Sequence, residues 1–468
     1  MDTTSDQNHT GQNRERRGIL AAGARIAAGV ALASAVTAIL PHAALAGALP
    51  KGTMVEKSAL TLGFVPLTDC APLVAAKEMG FFADEGLDVT LSREPSWANI
   101  RDKVSVGILD GAQMLAGIPL AANAGIGAFN VPMVAPLVLD LGGNAITLSR
   151  TLIQRMDAAD PAAMAERPLS ARALKRVIEA DRAAGAPRLT FGVVFSVASH
   201  AYQLRYWLAE AGIDPDADVR LVVIPPPDMV TSLQLGAIDG FCVGEPWNSL
   251  AAATGIGRIA ITSHDLWANA PEKVLGVTAD WAARHPATLA ALIRALLRAG
   301  RWLDQPDNRR VAAALLSDPR YVGAPASVLD AALTGALTGT GARNDDFVVF
   351  HRYAAGFPWH SHAVWTLAQM VRWGQVPFGT DLAAIAAATH RTDLYRTAAA
   401  TLDEPLPLAD TKVDGTHDTP WTLTDATAPI AMGPDRFLDG QPFDPADVAG
   451  YLNRFAITRH RPVPDPTA

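Results

Sequence analysis

Two cysteines in 468 residues, Cys70 and Cys242, are too few for a disulfide scaffold. Each sits among apolar neighbours, in TDCAPL and GFCVGE, which reads as a buried small hydrophobe and leaves a single 70–242 bridge open. Positive charge is also short. Against 47 Asp and Glu stand 39 Lys and Arg, a formal net charge of −8, which argues against a phosphate-backbone partner because nothing concentrates positive potential. With 49% hydrophobic and 18% charged residues, the chain is not a largely disordered one. A P-loop, a GxSxG elbow, an HExxH pair and a CxxC pair are all missing.

Long hydrophobic runs are lacking too. The longest weakly polar stretch, IAAGVALASAVTAIL at 26–40, has 15 residues, short of the ~20 needed to cross a bilayer. Arg14, Arg16, Arg17 and Arg25 precede it and Ala44-Leu45-Ala46 follows, the pattern of a cleaved export signal over 1–46. The Arg16-Arg17 pair before Gly18-Ile19-Leu20 resembles a twin-arginine signal. No Cys lies immediately after the cut point, so no lipid anchor is expected; the mature chain is expected to be acidic and periplasmic.

Beyond the leader, strands and helices alternate. Strands are expected near 58–64, 87–91, 145–148, 190–195 and 219–224, and helices near 71–79, 171–184, 200–211, 286–303 and 311–316. Such alternation predicts parallel α/β sheets. Past Leu402 the chain turns rich in Pro, Asp and Thr, as an extension that orders by docking or stays loose.

Several strand-to-helix junctions carry special residues, and open α/β sheets bind ligands at such places. In Thr68-Asp69-Cys70-Ala71-Pro72, Asp69 reads as a helix N-cap. Trp97, after Pro95, offers an indole donor and a flat wall, or else a core wedge. His200 opens a helix after Ser199, and Glu245 follows Gly244 at the end of an apolar strand. Lys273 enters an apolar strand, so it should meet a carboxylate or a bound anion. His360-Ser361-His362 and His264-Asp265 have poor spacing for a metal site.

In order along 60–457, the chain contains LGFVPLTDCAPLVAAKEMGFFADEGLDV, SWANIRDKV, LDGAQML, GGNAITLS, SHAYQLRYWLAEAGIDPDADVRLVVIPPPDMV, GAIDGFCVGEPWN, PEKVLGV, SHAVWTLAQMVRWG and FDPADVAGYLNRFAI. This set resembles the nitrate- and bicarbonate-binding family of ABC-transporter substrate-binding proteins. The resemblance implies an α/β, type II periplasmic-binding-protein fold with a ligand cleft between two lobes. Lobe 1 would take 58–145 and 265–400, lobe 2 would take 146–264, and 401–468 would pack on lobe 1. It also implies that Trp97, Gln113, Asn144, Ser199, His200, Gly244, Glu245 and Lys273 lie at or near the anion site. Two positions depart from the family pattern, which more often has His in place of Gln113 and Gln in place of Asn144.

Nitrate offers three acceptor oxygens and no proton, so its site needs donors and positive charge. Lys273 suits that better than bicarbonate, whose branch of the family resembles a site where a carboxylate and a metal replace the lysine. Glu245 would orient Lys273 or hold the turn. The implied activity is non-catalytic capture of nitrate, with nitrite, for an inner-membrane permease and its ATPase, with no cofactor and no resident metal. A nitrate sensor sequestering a regulatory partner, a bicarbonate receptor and a self-consuming pyrimidine-synthesis enzyme of the same fold are the alternatives.

Overall fold

The computed structural model describes residues 54–127, 131–341 and 343–460, and the leader assigned to 1–46 lies outside them. Ten strands form two five-stranded sheets. The first holds β1 (Ala59–Phe64), β2 (Asp88–Arg93), β3 (Gly111–Leu115), β4 (Met133–Val138) and β11 (Lys273–Thr278), in the order β2-β1-β3-β11-β4. The second holds β6 (Asn144–Ser149), β7 (Thr190–Val193), β8 (Arg220–Val223), β9 (Gly240–Gly244) and β10 (Gly257–Thr262), in the order β10-β6-β9-β7-β8. Two ribbons, β5 (Leu141–Gly142) with β12 (Val348–Val349) and β13 (Trp421–Leu423) with β14 (Ile430–Met432), complete the strands.

The sheets are mixed, which corrects the expectation of parallel ones. β1 runs parallel to β2 and β3, and β7 to β8 and β9. β11 is antiparallel to both its neighbours, and so is β6. The reason is topological: β6 and β11 are the strands by which the chain arrives from the other sheet, so each enters from the opposite end. Apolar runs cover both faces, because helices pack on each side. β9 and β4 are buried along their whole length.

The helices follow their sequence signals closely. Pro72 lies in the first turn of the helix Ala71–Glu78, and Gly80, at φ 79°, closes that turn as only glycine does without strain. The helix Arg172–Ala183 buries Ala173, Leu174, Val177 and Ile178 on one stripe. Cys70 and Cys242 are free and buried.

Two segments cross between the sheets, 139–143 outward and 263–272 on return, and they pair with each other. Leu139 donates its N–H to the Lys273 carbonyl at 2.7 Å, Glu272 to Asp140 at 3.1 Å and Gly142 to Ala270 at 2.8 Å. The extension lies over the return segment and reaches beyond lobe 1, where it was expected to pack. Ala268 donates to the Arg436 carbonyl and Leu438 to the Leu266 carbonyl, both at 2.9 Å. The Trp267 and Phe437 rings stack at 4.7 Å. Tyr206, from the second half, donates to Asp439 at 2.7 Å, and Arg459 pairs with Asp214 and Asp216.

The halves also meet directly at Gly117, before which β3 ends. A Cβ there would overlap the carbonyl oxygen of Val197, a backbone atom of the other half that no side-chain rotation can move. Gly117→Ala should therefore hold the halves apart. Small-angle scattering should give a larger radius of gyration than wild type with unchanged far-ultraviolet dichroism; an unchanged radius would show that closure does not depend on this contact.

Candidate functional site

Lys273, the first residue of β11, is completely buried. Removing an ammonium from water is costly unless it is paired. Its Nζ lies 2.7 Å from Asp69 Oδ2 and 2.7 Å from Glu272 Oε1. A third carboxylate, Asp140, accepts the Lys273 backbone N–H at 3.0 Å through Oδ1. The two nearby carboxylates hold the ammonium above its ordinary pKa despite burial.

These three carboxylates come from separate parts of the chain. Asp69 follows β1 in a short 3-10 turn, Asp140 lies on the outward crossing and Glu272 on the return. Asp69 was expected to cap the following helix, but Cys70 takes the N-cap position without a side-chain cap. The Asp69 carboxylate is drawn to the lysine and to Gln113 instead, because a buried ammonium demands a partner more strongly than the first turn of a helix does. Gln113, from β3, donates to Asp69 through Nε2 and accepts the Val65 N–H at 3.0 Å through Oε1.

The second half supplies the opposite wall. Ser199 opens the helix Ser199–Glu210 and donates to Glu272 Oε1 at 2.6 Å. His200 Nε2 lies 3.6 Å from the same oxygen, and neither ring nitrogen has a hydrogen-bond partner. Burial pushes the imidazole pKa down to about 3, so His200 is neutral, with one donor and one acceptor nitrogen. Asn144 and Gly244 face each other across the β6–β9 register. A Cβ on Gly244 would stand 3.2 Å from Asp69 Oδ2 and 3.3 Å from Asn144 Oδ1, so this glycine keeps the approach narrow and open. Asn144 Nδ2 donates to Gln203 at 3.1 Å, and its Oδ1 has no partner.

Trp97, at the start of the helix Trp97–Ser105, is buried with its indole N–H unpartnered, and the Lys273 ammonium lies 5.6 Å from its ring centroid. It is thus a core residue whose ring also faces the ammonium. Glu245 stands apart. Its Oε2 accepts the Ser249 N–H at 3.0 Å, while its backbone carbonyl accepts from Thr68. Of the two roles foreseen for Glu245, it holds the turn; Asp69 and Glu272 orient the lysine.

Trp97, Gln113, Asn144, Ser199, His200, Gly244 and Lys273 are therefore joined through one network of contacts. Sequence reasoning missed Asp69, Asp140 and Glu272. Glu272 was open to detection, being adjacent to a lysine in an apolar context; Asp140, in VLDLGG, carried a weaker form of the same signal. His360 bonds the His390 carbonyl at 2.8 Å and His362 lies 3.3 Å from Asp414, both remote from this network. Among the described residues, no group of three or more His, Cys, Asp or Glu side chains is arranged to hold a metal ion.

Breaking a buried ion pair from one side leaves the other charge uncompensated, at about 3–5 kcal/mol. Lys273→Met should lose roughly that at pH 8 in urea unfolding. Burial already raises the Asp69 pKa, and a raised acid destabilises the fold as pH rises through its folded pKa. The deficit should therefore shrink toward pH 5; an equal deficit at both pH values would show that the carboxylates do not carry the penalty.

Comparison with known proteins places this geometry. Residues 53–317 match the NMT1-like family. The nitrate import ATP-binding protein NrtC of Synechocystis is 38% identical over 417 residues, covering 87% of this chain; the chain spans 57% of that protein's length. The nitrate/nitrite binding protein NrtA of Synechococcus elongatus is 33% identical over 417 residues, covering 86% of this chain and 87% of that one. The crystal structure of the periplasmic nitrate-binding protein NrtA from Synechocystis superposes with a TM-score of 0.74 at 29% identity, covering 86% of this chain and all of the other. With two α/β sheets joined by paired crossings and a polar network between them, the chain belongs to the NMT1-like family and has a periplasmic-binding-protein fold.

Proposed function

We propose that the chain is the solute receptor of an ABC importer, closing on nitrate, and on nitrite, between its two halves and delivering it to a membrane permease and its ATPase. In this reading the halves are 58–145 with 265–400 and 146–264, with 401–468 bracing both. The receptor works in the periplasm after loss of the 1–46 leader, and it catalyses nothing. No helix among the described residues is long and apolar enough to cross a membrane.

The observation that carries this reading is a set of buried donors with no protein partner, gathered beside a buried ammonium. Trp97 offers its indole N–H and neutral His200 one ring N–H, next to Lys273. Buried donors are rarely left unpaired, and a small flat ion with three acceptor oxygens completes them. The Asn144 and Gln203 amides can reverse together, which keeps their mutual bond and turns a second donor toward Gly244. Similarity to proteins named for nitrate supports the choice of ion.

A second reading is a nitrate sensor that sequesters a regulatory partner, which would keep the chain and its N-terminus in the cytoplasm. Cell fractionation separates the two: a processed periplasmic chain supports the receptor, and an intact cytoplasmic one the sensor.

Calorimetric titration with nitrate should give one site per chain. Absence of both heat and a fluorescence change at millimolar nitrate would sink the proposal. Trp97→Phe removes one hydrogen bond to a charged ligand, about 1.5–3 kcal/mol, and should weaken binding at least tenfold. Wild-type affinity in that variant would make Trp97 a core residue only.

A further inference from the structure

Lys273 is not a free countercharge waiting for an anion. Asp69 and Glu272 already hold its ammonium at 2.7 Å each, and Asp140 stands behind its backbone. One cation and three carboxylates meet with almost no exposure. Adding an anion to that cluster brings a further negative charge into an enclosed, weakly screened space, where like charges repel strongly.

The three carboxylates are not equivalent. Glu272 accepts from Lys273 and Ser199, and these contacts outweigh burial and keep its carboxyl below the ordinary range, so it stays ionised. Asp140 is enclosed with Oδ2 unpartnered, and burial with the nearby Asp69 pushes its carboxyl well up. Asp69 lies between these extremes: burial raises its pKa to about 6 against the pull of Lys273. Around Asp69 stand Lys273 and Glu272 on the return crossing, Asp140 on the outward one, Gln113 on β3, and Cys70, whose thiol burial pushes up. From the second half come neutral His200 and the backbone of Gly244. Glu245, which burial raises to about 7, turns its carboxyl to Ser249 and makes no contact with the lysine.

Resting on the reading of the chain as an oxyanion receptor, we propose that the cleft takes up its anion together with one proton from solvent, which lodges on the Asp69 carboxylate. The proton forms an O–H bond on Asp69, the ammonium exchanges that carboxylate for the anion, and the cluster keeps its net charge. Capture is then favoured by acid, because the bound state holds one more proton than the empty one.

The test is calorimetric titration of the full protein with nitrate near pH 7, in buffers of different ionisation enthalpy. The dependence of apparent heat on buffer should report uptake of about one proton, and Kd should rise about tenfold per pH unit between about pH 7 and 8. In Asp69→Asn, uptake should vanish and nitrate affinity should become independent of pH. Binding of nitrate with no proton uptake by the wild type, or uptake that persists in Asp69→Asn, overturns the proposal while leaving the receptor reading intact. No nitrate binding at any pH overturns the receptor reading itself, and this proposal with it. The wild-type buffer series decides whether a proton is taken up even where Asp69→Asn fails to fold.

Discussion

The Lys273 ammonium is the constraint on which the centre of the molecule depends. It is buried, charged and held from two sides, and its partners tie together segments distant in sequence. Asp69 brings in the turn after β1, while Glu272 reaches Ser199 and His200 of the second half. A chain that could not assemble those partners would leave an unpaired charge in its interior, at a cost comparable with a large fraction of a domain's net stability. The polar network therefore specifies how the halves meet as well as what they can bind.

Around it, the crossings and the extension set how the halves can move. Paired backbone bonds make the two crossing segments a short ribbon. The extension adds a further layer, stacking Phe437 on Trp267 and anchoring to the second half through Asp439 and Arg459. A hinge braced in this way favours a few discrete arrangements over continuous flexing, because packed interfaces resist small deformation. Gly117 and Gly244 belong to the same design: in each, a missing side chain admits close approach of the other half or of a site residue.

Much of this was legible in the residues. Apolar runs and Gly stops marked β1, β2, β7 and the helices near their actual limits, because those signals are local. Lys273 in an apolar strand had to meet an opposite charge, and it does. That Asp69 is one of its partners was not legible. Asp69 carried an equally good local signal as a helix cap, and only the fold brings it to the lysine. The direction of β6 and β11 was hidden for a similar reason: alternation of strands and helices says nothing about a strand arriving from another sheet. The extension's Pro- and Asp-rich sequence gave no periodicity to read, since its order comes from contacts such as Tyr206 to Asp439 rather than from its own propensities.

The carboxylates also change what the lysine means for affinity. An unpaired ammonium in a closed cleft would attract any anion, but it would be expensive to bury while the cleft is empty. With Asp69 and Glu272 in contact, the ammonium itself is already paired, and at that charge a ligand gains only the difference between two ion pairs. Binding strength then depends less on total attraction than on how cheaply one carboxylate gives up the ammonium. In the proposed receptor that arrangement would serve release as well as capture, with Asp69 returning to Lys273 and competing with the departing ion. The overall acidity of the chain, −8 by formal count, is no obstacle to such a site, because the local balance among four buried side chains sets the field that the ion meets.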